Sequence, residues 1–189
     1  MNRQDRRVVS REYFSDERLA EHHFRSFNNF LRRGMQEVVD EKATIETDIG
    51  DKEGQEPVYV ELGDVRMVTP RVREADGSEE LLYPQEARLR NITYSAPVFM
   101  EMSIVRGGEE EPETVVDSTE TKVGRMPVMV GSTNCNMAEF TDEELIDIGE
   151  DPVDPGGYFI VNGSERVLMT SEDLAPNKIL AEYDSKYGD

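Results

Sequence analysis

Hydrophobic side chains alternate with polar ones in several short stretches of the chain, and this alternation predicts half-buried β-strands. In residues 58–62, two valines and a leucine are separated by a tyrosine and a glutamate. Residues 93–105, 115–123 and 128–130 also have the character of extended chain. The pattern therefore predicts a protein with a substantial content of β-sheet.

A hairpin is predicted towards the end of the chain. The apolar runs Tyr158–Val161 and Val167–Met169 flank the dipeptide Asn162-Gly163. Asparagine and glycine tolerate the positive φ angles of a type I′ turn, whose twist matches that of the strands it joins. We therefore expect the two runs to pair as antiparallel strands.

A helical pattern begins near Ser15, which suits an N-cap and is followed by two acidic residues that favour the positive end of a helix dipole. The residues expected on one face of this helix are Leu19, His23, Phe27, Phe30, Leu31 and Val38. Gly34 is expected to interrupt or bend the helix, because glycine is a poor helix former.

Two shorter helices are predicted further along the chain. Pro84 suits the first turn of a helix, and Thr141 and Glu144 have the spacing of a capping box in a helix that Gly149 can close. The segments at residues 40–56, 74–80 and 107–113 are predicted to be polar or acidic connections. Because helices and strands mix without a regular βαβ alternation, we predict an α+β fold with a mainly antiparallel sheet.

The charge of the chain is strongly acidic. Its 189 residues include 41 acidic and 21 basic ones, which gives a net charge of −20 and only five lysines. Such a surface suits a protein kept soluble in concentrated salt, where repulsion between charges is screened within roughly 3 Å at 1 M. We predict a halophilic archaeal source; an ordinary acidic, soluble protein is the alternative. The first 33 residues depart from the trend, with eight arginines against five acidic residues.

Several kinds of site are disfavoured by the sequence. A single cysteine, Cys135, excludes an internal disulfide and disfavours a cysteine-based zinc site, so a buried apolar role is expected for it. His22 and His23 diverge by about 100° on a helix and are expected to form a surface pair rather than a metal site. The methionines Met126, Met129, Met137 and Met169 are expected to fill the core. No apolar run is long enough to cross a membrane and no signal peptide is evident, so a cytoplasmic location without membrane contact is expected.

Four blocks of sequence resemble the second-largest subunit of multisubunit RNA polymerases, in the expected order. They are Phe27-Asn28-Asn29-Phe30-Leu31 with Gln36, Val38 and Val39; Tyr83-Pro-Gln-Glu-Ala-Arg-Leu-Arg-Asn-Ile-Thr-Tyr-Ser-Ala-Pro97; Gly124-Arg-Met-Pro-Val-Met-Val130 with a serine and Cys135 following; and Gly156-Gly-Tyr-Phe-Ile-Val-Asn-Gly-Ser-Glu-Arg-Val167, continuing through Ser171 and Glu172. Among the forms of this subunit, the chain resembles the archaeal split form, B″, most closely. The resemblance covers nearly the whole chain.

The resemblance implies that residues 1–189 form an N-terminal segment of the domain called the protrusion, without the lobe and the remainder of the subunit. It implies that some strand edges and apolar faces lack partners, and that the chain walls the DNA and hybrid cleft and docks other polymerase subunits. The expected partners are those subunits, template DNA and the RNA–DNA hybrid. The alternative is a stand-alone acidic module that binds nucleic acid or protein.

The implied reaction is nucleotidyl transfer, but no catalytic residue is assigned to this segment. No cofactor is expected in it, because the resemblance places the Mg²⁺ ligands in the largest subunit of the assembled enzyme. The candidates for contact with nucleic acid are Arg166, Arg88, Arg90, Arg125, Ser171 and Glu172.

Each arginine candidate has a structural alternative. Arg88 and Arg90 can form ion pairs with local carboxylates, and Arg166 can form a salt bridge to Glu165 or Glu172. The loop at 131–133 lacks the basic residues that relatives carry there, with Gly131 and Thr133 in their places, which weakens the case that this loop grips phosphate.

Overall fold

A computed structural model of the chain describes residues 4–9, 20–47, 57–107, 114–174 and 177. The helices are α1 at residues 4–9, α2 at Glu21–Asn29, α3 at Met35–Asp40, α4 at Pro84–Leu89 and α5 at Asp142–Asp147, with a π-helical segment at Phe30–Gly34 joining α2 to α3. The strands are β1 at Thr44–Glu46, β2 at Val58–Met67, β3 at Arg71–Arg73, β4 at Glu79–Leu81, β5 at Ser95–Arg106, β6 at Thr114–Pro127, β7 at Phe159–Val161 and β8 at Ser164–Arg166.

The strands form one large sheet and two small ones, and all of their pairings are antiparallel. The large sheet has the order β1-β2-β5-β6, while β3 pairs with β4 and β7 pairs with β8. This arrangement confirms the predicted α+β fold with a mainly antiparallel sheet. The strands predicted at residues 58–62, 93–105 and 115–123 are confirmed, and β2 continues to Met67.

Several predicted strand features are wrong, among them the connection at residues 74–80, whose last two residues belong to β4. Residues 40–56 were expected to be a connection, yet β1 lies within them, because pairing with β2 supplies the backbone hydrogen bonds that its polar sequence did not signal. Residues 128–130, expected to be extended, lie outside the strands, although the amides of Val128 and Val130 donate to the carbonyls of Tyr94 and Tyr158. The second strand of the hairpin is β8 and not residues 167–169, since the two-residue turn pairs Val161 directly with Ser164.

The helix at residues 21–40 agrees with the prediction in its first half. Phe27 is buried and Leu31 packs beside it, whereas Phe30 is 38% exposed and Val38 60% exposed, so these two do not share the buried face as predicted. The π-helical turn adds to the number of residues per turn and so rotates the following residues away from the earlier face. It ends at Gly34, where a Cβ would lie 2.8 Å from a ring carbon of Phe30. The predicted N-cap, Ser15, lies outside the described residues, as does Leu19.

The two shorter helices begin as predicted. Pro84 occupies the first turn of α4. Thr141 and Glu144 form the predicted capping box of α5, and Gly149 follows that helix with a φ of +82°. The predicted acidic turn at residues 107–113 lies outside the described residues apart from Gly107.

The core gathers where α2, α4, the start of β5 and the hairpin meet. It consists of Leu82, Ala87, Tyr94, Ala96, Val128, Val130, Cys135 and Ile160, with a second cluster of Ala20, Phe24, Phe27 and Met129. The buried role of Cys135 is confirmed. Met129 is buried and Met137 packs against the core as expected, but Met169 is 87% exposed because the chain leaves the sheet before it.

At the end away from these core clusters, the large sheet is open to solvent. Strand β6 is exposed from Thr114 to Arg125, and its Val115 and Val116 are more than half exposed. Val167, Leu168 and Leu174 are also exposed beyond the hairpin.

Candidate nucleic-acid interface

The hairpin that carries Arg166 is fixed against the end of α4. Its turn residues Asn162 and Gly163 have φ angles of +50° and +75°, as a type I′ turn requires. The amide of Gly163 donates to the Ile92 carbonyl at 3.0 Å, and the amide of Asn162 donates to Thr93 Oγ1 at 3.1 Å. A Cβ on Gly163 would lie 2.8 Å from the Asn91 Cα. Glycine is therefore required by both the backbone angle and the close approach.

Arg88 lies at the centre of a network of polar side chains between α4, the hairpin and the loop before it. Its Nη1 lies 3.0 Å from Glu150 Oε2, and its Nε lies 2.9 Å from Glu165 Oε1. Its Nη2 donates to the Tyr158 hydroxyl at 2.5 Å and lies 3.9 Å from Asp154 Oδ2. The Arg88 side chain is 21% exposed, so these contacts are partly shielded from water.

The surroundings perturb the ionisable groups of this network. Partial desolvation lowers the pKa of Arg88, but the hydrogen bond and the charge of Glu150, with Tyr158 and Glu165, outweigh it, and the pKa of Arg88 is raised. Burial raises the pKa of Tyr158, and its hydrogen bond to Asp154 adds to the shift. The phenol and the guanidinium therefore keep their protons throughout the physiological range.

Arg90 follows α4 and points to a different set of carboxylates. Its Nη1 lies 2.6 Å from Glu74 Oε1 and 2.7 Å from Glu86 Oε1. The hydrogen bonds to Glu74 and then to Glu86 raise the pKa of Arg90. The guanidinium groups of both Arg88 and Arg90 therefore form ion pairs with carboxylates. This is the structural alternative to nucleic-acid contact that the sequence left open for each of them.

Arg125 connects the large sheet to the small β3–β4 sheet through neutral oxygen atoms. Its Nε donates to Ser95 Oγ at 3.1 Å, and its Nη2 donates to the carbonyls of Ser95 at 2.7 Å and Arg71 at 2.5 Å. These bonds tie the β5–β6 pair to β3. In the part of the chain that the structure describes, Arg125 has no carboxylate partner.

Arg166 is the last residue of β8, and its side chain is exposed. Successive residues of a strand point to opposite faces, so Glu165 reaches Arg88 on one side while Arg166 points to the other. Within the described ranges, Arg166 forms no ion pair, and the predicted salt bridges to Glu165 and Glu172 are not formed. Ser171 and Glu172 lie beyond it in an exposed segment without regular structure.

Two features of the interface were missed by the sequence analysis. Glu150 is a buried polar residue whose Oε1 accepts a hydrogen bond from the Gln85 amide at 2.5 Å, in addition to its pairing with Arg88. No local pattern marks it, because its partners are more than 60 residues away in sequence. The second feature is an open groove beside α2 that contains Arg25 and Arg32. The excess of arginine in the first 33 residues is the sequence feature that could have indicated this groove.

No group of three or more His, Cys, Asp or Glu side chains in the described ranges could hold a metal ion. Of the helices described, none has the length and apolar character needed to cross a membrane. His22 and His23 stack with ring centroids 4.0 Å apart on α2.

Comparison with known proteins places these features in a family context. The family model described as RNA polymerase beta subunit matches residues 18–182. The DNA-directed RNA polymerase subunit Rpo2N of Halobacterium salinarum is 82% identical over 189 residues, which cover 100% of this chain and 36% of that relative. Rpo2N of Methanocaldococcus jannaschii is 44% identical over 179 residues, covering 93% of this chain and 34% of the relative.

A longer relative gives a similar match. The DNA-directed RNA polymerase subunit Rpo2 of Saccharolobus shibatae is 45% identical over 179 residues, which cover 94% of this chain and 15% of that relative. The chain therefore spans about a third of the length of the two Rpo2N relatives and less of the Rpo2 relative.

Proposed function

This chain belongs to the RNA polymerase beta subunit family, and we propose that it acts in transcription as the N-terminal part of a DNA-directed RNA polymerase subunit. The observation that carries the proposal is the 82% identity to the Halobacterium salinarum subunit, which extends over all 189 residues. That relative also supports the proposal of a salt-adapted archaeal enzyme, which the acidic composition suggested first.

The proposed role of this segment is positional. It forms part of the protrusion, walls the cleft that holds DNA and the RNA–DNA hybrid, and orders these for chemistry performed elsewhere in the enzyme. The Mg²⁺ ions that would clamp the attacking and leaving oxygen atoms belong to the largest subunit in this proposal. The assembly works in the cytoplasm, where template DNA and the other subunits are its partners.

Arg166 is the strongest candidate for contact with nucleic acid. It is exposed, and it lies on a hairpin whose backbone amides donate to the Ile92 carbonyl and the Thr93 hydroxyl. It forms no ion pair with a carboxylate among the described residues. A guanidinium in this state can neutralise a phosphate and release condensed counterions. Ser171 and Glu172 follow on the same exposed segment and Arg125 is a weaker candidate, since its donors are engaged by carbonyl oxygens.

Arg88 and Arg90 take a different part in this proposal. Their contacts with five carboxylates hold α4 and the hairpin in place and so position Arg166 indirectly. The exposed apolar side chains of β6 and of residues 167–174 are the surfaces that other parts of the polymerase would cover.

Affinity purification tests the proposal. The tagged chain is recovered from a lysate of a halophilic archaeon in molar potassium chloride, and the proteins that accompany it are identified by mass spectrometry. Recovery of the remaining polymerase subunits is expected. A folded chain that elutes alone as a monomer would instead favour a stand-alone binding module.

A further inference from the structure

An open groove of about 960 Å³ runs along the exposed side of α2 and the loop at residues 131–134. Arg25, Arg32 and His22 line it from the helix, and Thr133 and Asn134 line it from the loop. None of the described residues that line it is acidic, although 41 of the 189 residues of the chain are. The groove is therefore a locally basic surface on a strongly acidic protein.

The two arginines of the groove are available for an external anion. Among the described residues, neither Arg25 nor Arg32 forms an ion pair, and Arg32 makes only a long hydrogen bond of 3.4 Å to Asn29 Oδ1. This sets them apart from Arg88 and Arg90, whose donors are taken by carboxylates. Both side chains are exposed, so a ligand can reach them without displacing protein atoms.

Neutral hydrogen-bonding groups lie between the charges, and one of them fixes the shape of the groove. Asn28 Oδ1 accepts hydrogen bonds from the Thr133 amide at 3.1 Å and from its hydroxyl at 3.0 Å. These bonds join the helix to the loop. They engage the amide oxygen of Asn28, so its amide nitrogen remains a donor on a residue that lines the groove.

The lining favours a nucleic-acid backbone over a protein partner. Protein interfaces are built around a buried apolar centre, whereas surfaces for nucleic acid are more polar and more positive. Leu31 is the one strongly apolar side chain among the described residues of the groove. Arg25 and Arg32 stand about two helical turns apart, roughly 10 Å along the axis, which is close to three nucleotides of a strand at about 3.4 Å each.

We infer that this groove binds the phosphate backbone of a nucleic-acid strand, with Arg25 and Arg32 each contacting a phosphate and Asn28 and Thr133 holding the two walls in place. The inference rests on the proposed function and adds to it a second contact surface, on α2 and the π-helical segment that follows it rather than on the hairpin. The contact is independent of base sequence, because phosphates carry no sequence information.

The test compares variants of the assembled polymerase, purified through the subunit that contains this chain. The probe is a labelled scaffold of template DNA, non-template DNA and a short RNA, and its affinity is measured over a series of potassium chloride concentrations. Each phosphate contact contributes about 0.7 to 0.9 to the slope of log affinity against log salt. The double variant Arg25→Gln/Arg32→Gln is expected to flatten the slope by roughly twice this amount. An unchanged slope would overturn the inference.

Arg33→Gln is the matched control, because Arg33 is exposed on the same helical segment but does not line the groove. It is expected to leave the slope unchanged, and a loss equal to that of the double variant would overturn the inference by showing a general effect of charge. If the unaltered enzyme fails to bind the scaffold at all, the proposed function itself fails. If it binds and the double variant matches Arg33→Gln, only the groove is rejected.

A second readout identifies the occupant directly. A photo-reactive benzoylphenylalanine is placed at the position of Asn29, which lines the groove, and the assembled enzyme is irradiated with the labelled scaffold. Cross-linking to nucleic acid is expected. Cross-linking to another polymerase subunit, with none to the scaffold, would assign the groove to a protein partner and overturn the inference.

Discussion

The side chains of Arg88 and Glu150 form an ion pair in which Nη1 and Oε2 are 3.0 Å apart and the glutamate is 5% exposed. The same carboxylate accepts the Gln85 amide in the first turn of α4. The pair therefore joins the helix to the loop that follows α5, and Arg88 extends the connection to the hairpin through Glu165. This contact gives Arg88 a structural role, whereas Arg166 is exposed and forms no ion pair among the described residues.

The first prediction concerns this ion pair. We expect Arg88→Ala to lower the free energy of unfolding by on the order of 3 kcal/mol, because it leaves Glu150 buried without its cation. Denaturant unfolding of the chain in molar potassium chloride measures the loss. Arg90→Ala is the control, since Arg90 and its two carboxylates are solvated and exposed pairs contribute little. Equal losses for the two variants would contradict the structural role of Arg88.

The second prediction concerns the turn of the hairpin. Gly163→Ala is expected to destabilise the protein by about 1 to 3 kcal/mol, because Gly163 has a φ of +75° and a Cβ there would meet the Asn91 Cα at 2.8 Å. Gly124→Ala is the control, since no atom lies within 4 Å of a Cβ at that position. Thermal unfolding of both variants measures the difference. A Gly163→Ala variant as stable as the control would show that the turn is not constrained as described.

The third prediction concerns the pH dependence of the capping box. Hydrogen bonds from the Thr141 amide and then from its hydroxyl hold the pKa of Glu144 below the ordinary value of 4.5. Because the pKa is lowered in the folded state, the contribution to stability is complete above pH 4.5 and is lost as the pH falls through the folded value.

A carbon-13 NMR titration of the Glu144 carboxyl measures this shift. The midpoint is expected below 4.5 in the unaltered chain and closer to 4.5 in Thr141→Val, which loses the hydroxyl donor but keeps the amide. A midpoint that Thr141→Val does not raise would mean that the hydroxyl does not stabilise the charged carboxylate.

Features that depend on neighbouring residues were predictable from the sequence. The turn at Asn162 and Gly163 follows from the backbone angles that these residues tolerate, and the capping box of Thr141 and Glu144 follows from their spacing. The start of α4 at Pro84 follows in the same way from its fixed φ angle.

Features that depend on distant contacts were not predictable. Strand β1 exists because it pairs with β2, and nothing in its own short sequence requires this. The partner of Arg88, Glu150, is separated from it by 62 residues, so the choice between phosphate contact and ion pairing could not be made from sequence. The exposed position of Val38 follows from the π-helical turn before it, which shifts the helical face.

The fourth prediction concerns Arg166 in the assembled enzyme. Arg166→Gln is expected to flatten the salt dependence of scaffold binding by about 0.7 to 0.9, the loss of one phosphate contact. Arg106→Gln is the control, because Arg106 is also an exposed arginine at the end of a strand but lies at the open end of the sheet. Fluorescence anisotropy in a series of salt concentrations measures both. Equal slopes for the two variants and the unaltered enzyme would remove Arg166 from the interface.

The central claim is that this chain is part of a working RNA polymerase, and synthesis of RNA by the complex recovered through its tag tests it most directly. The purified material is supplied with a DNA template, Mg²⁺ and labelled nucleotides in molar potassium chloride. Incorporation that depends on the added template is the predicted result. A folded, tagged chain recovered without polymerase subunits and without template-dependent incorporation would contradict the claim.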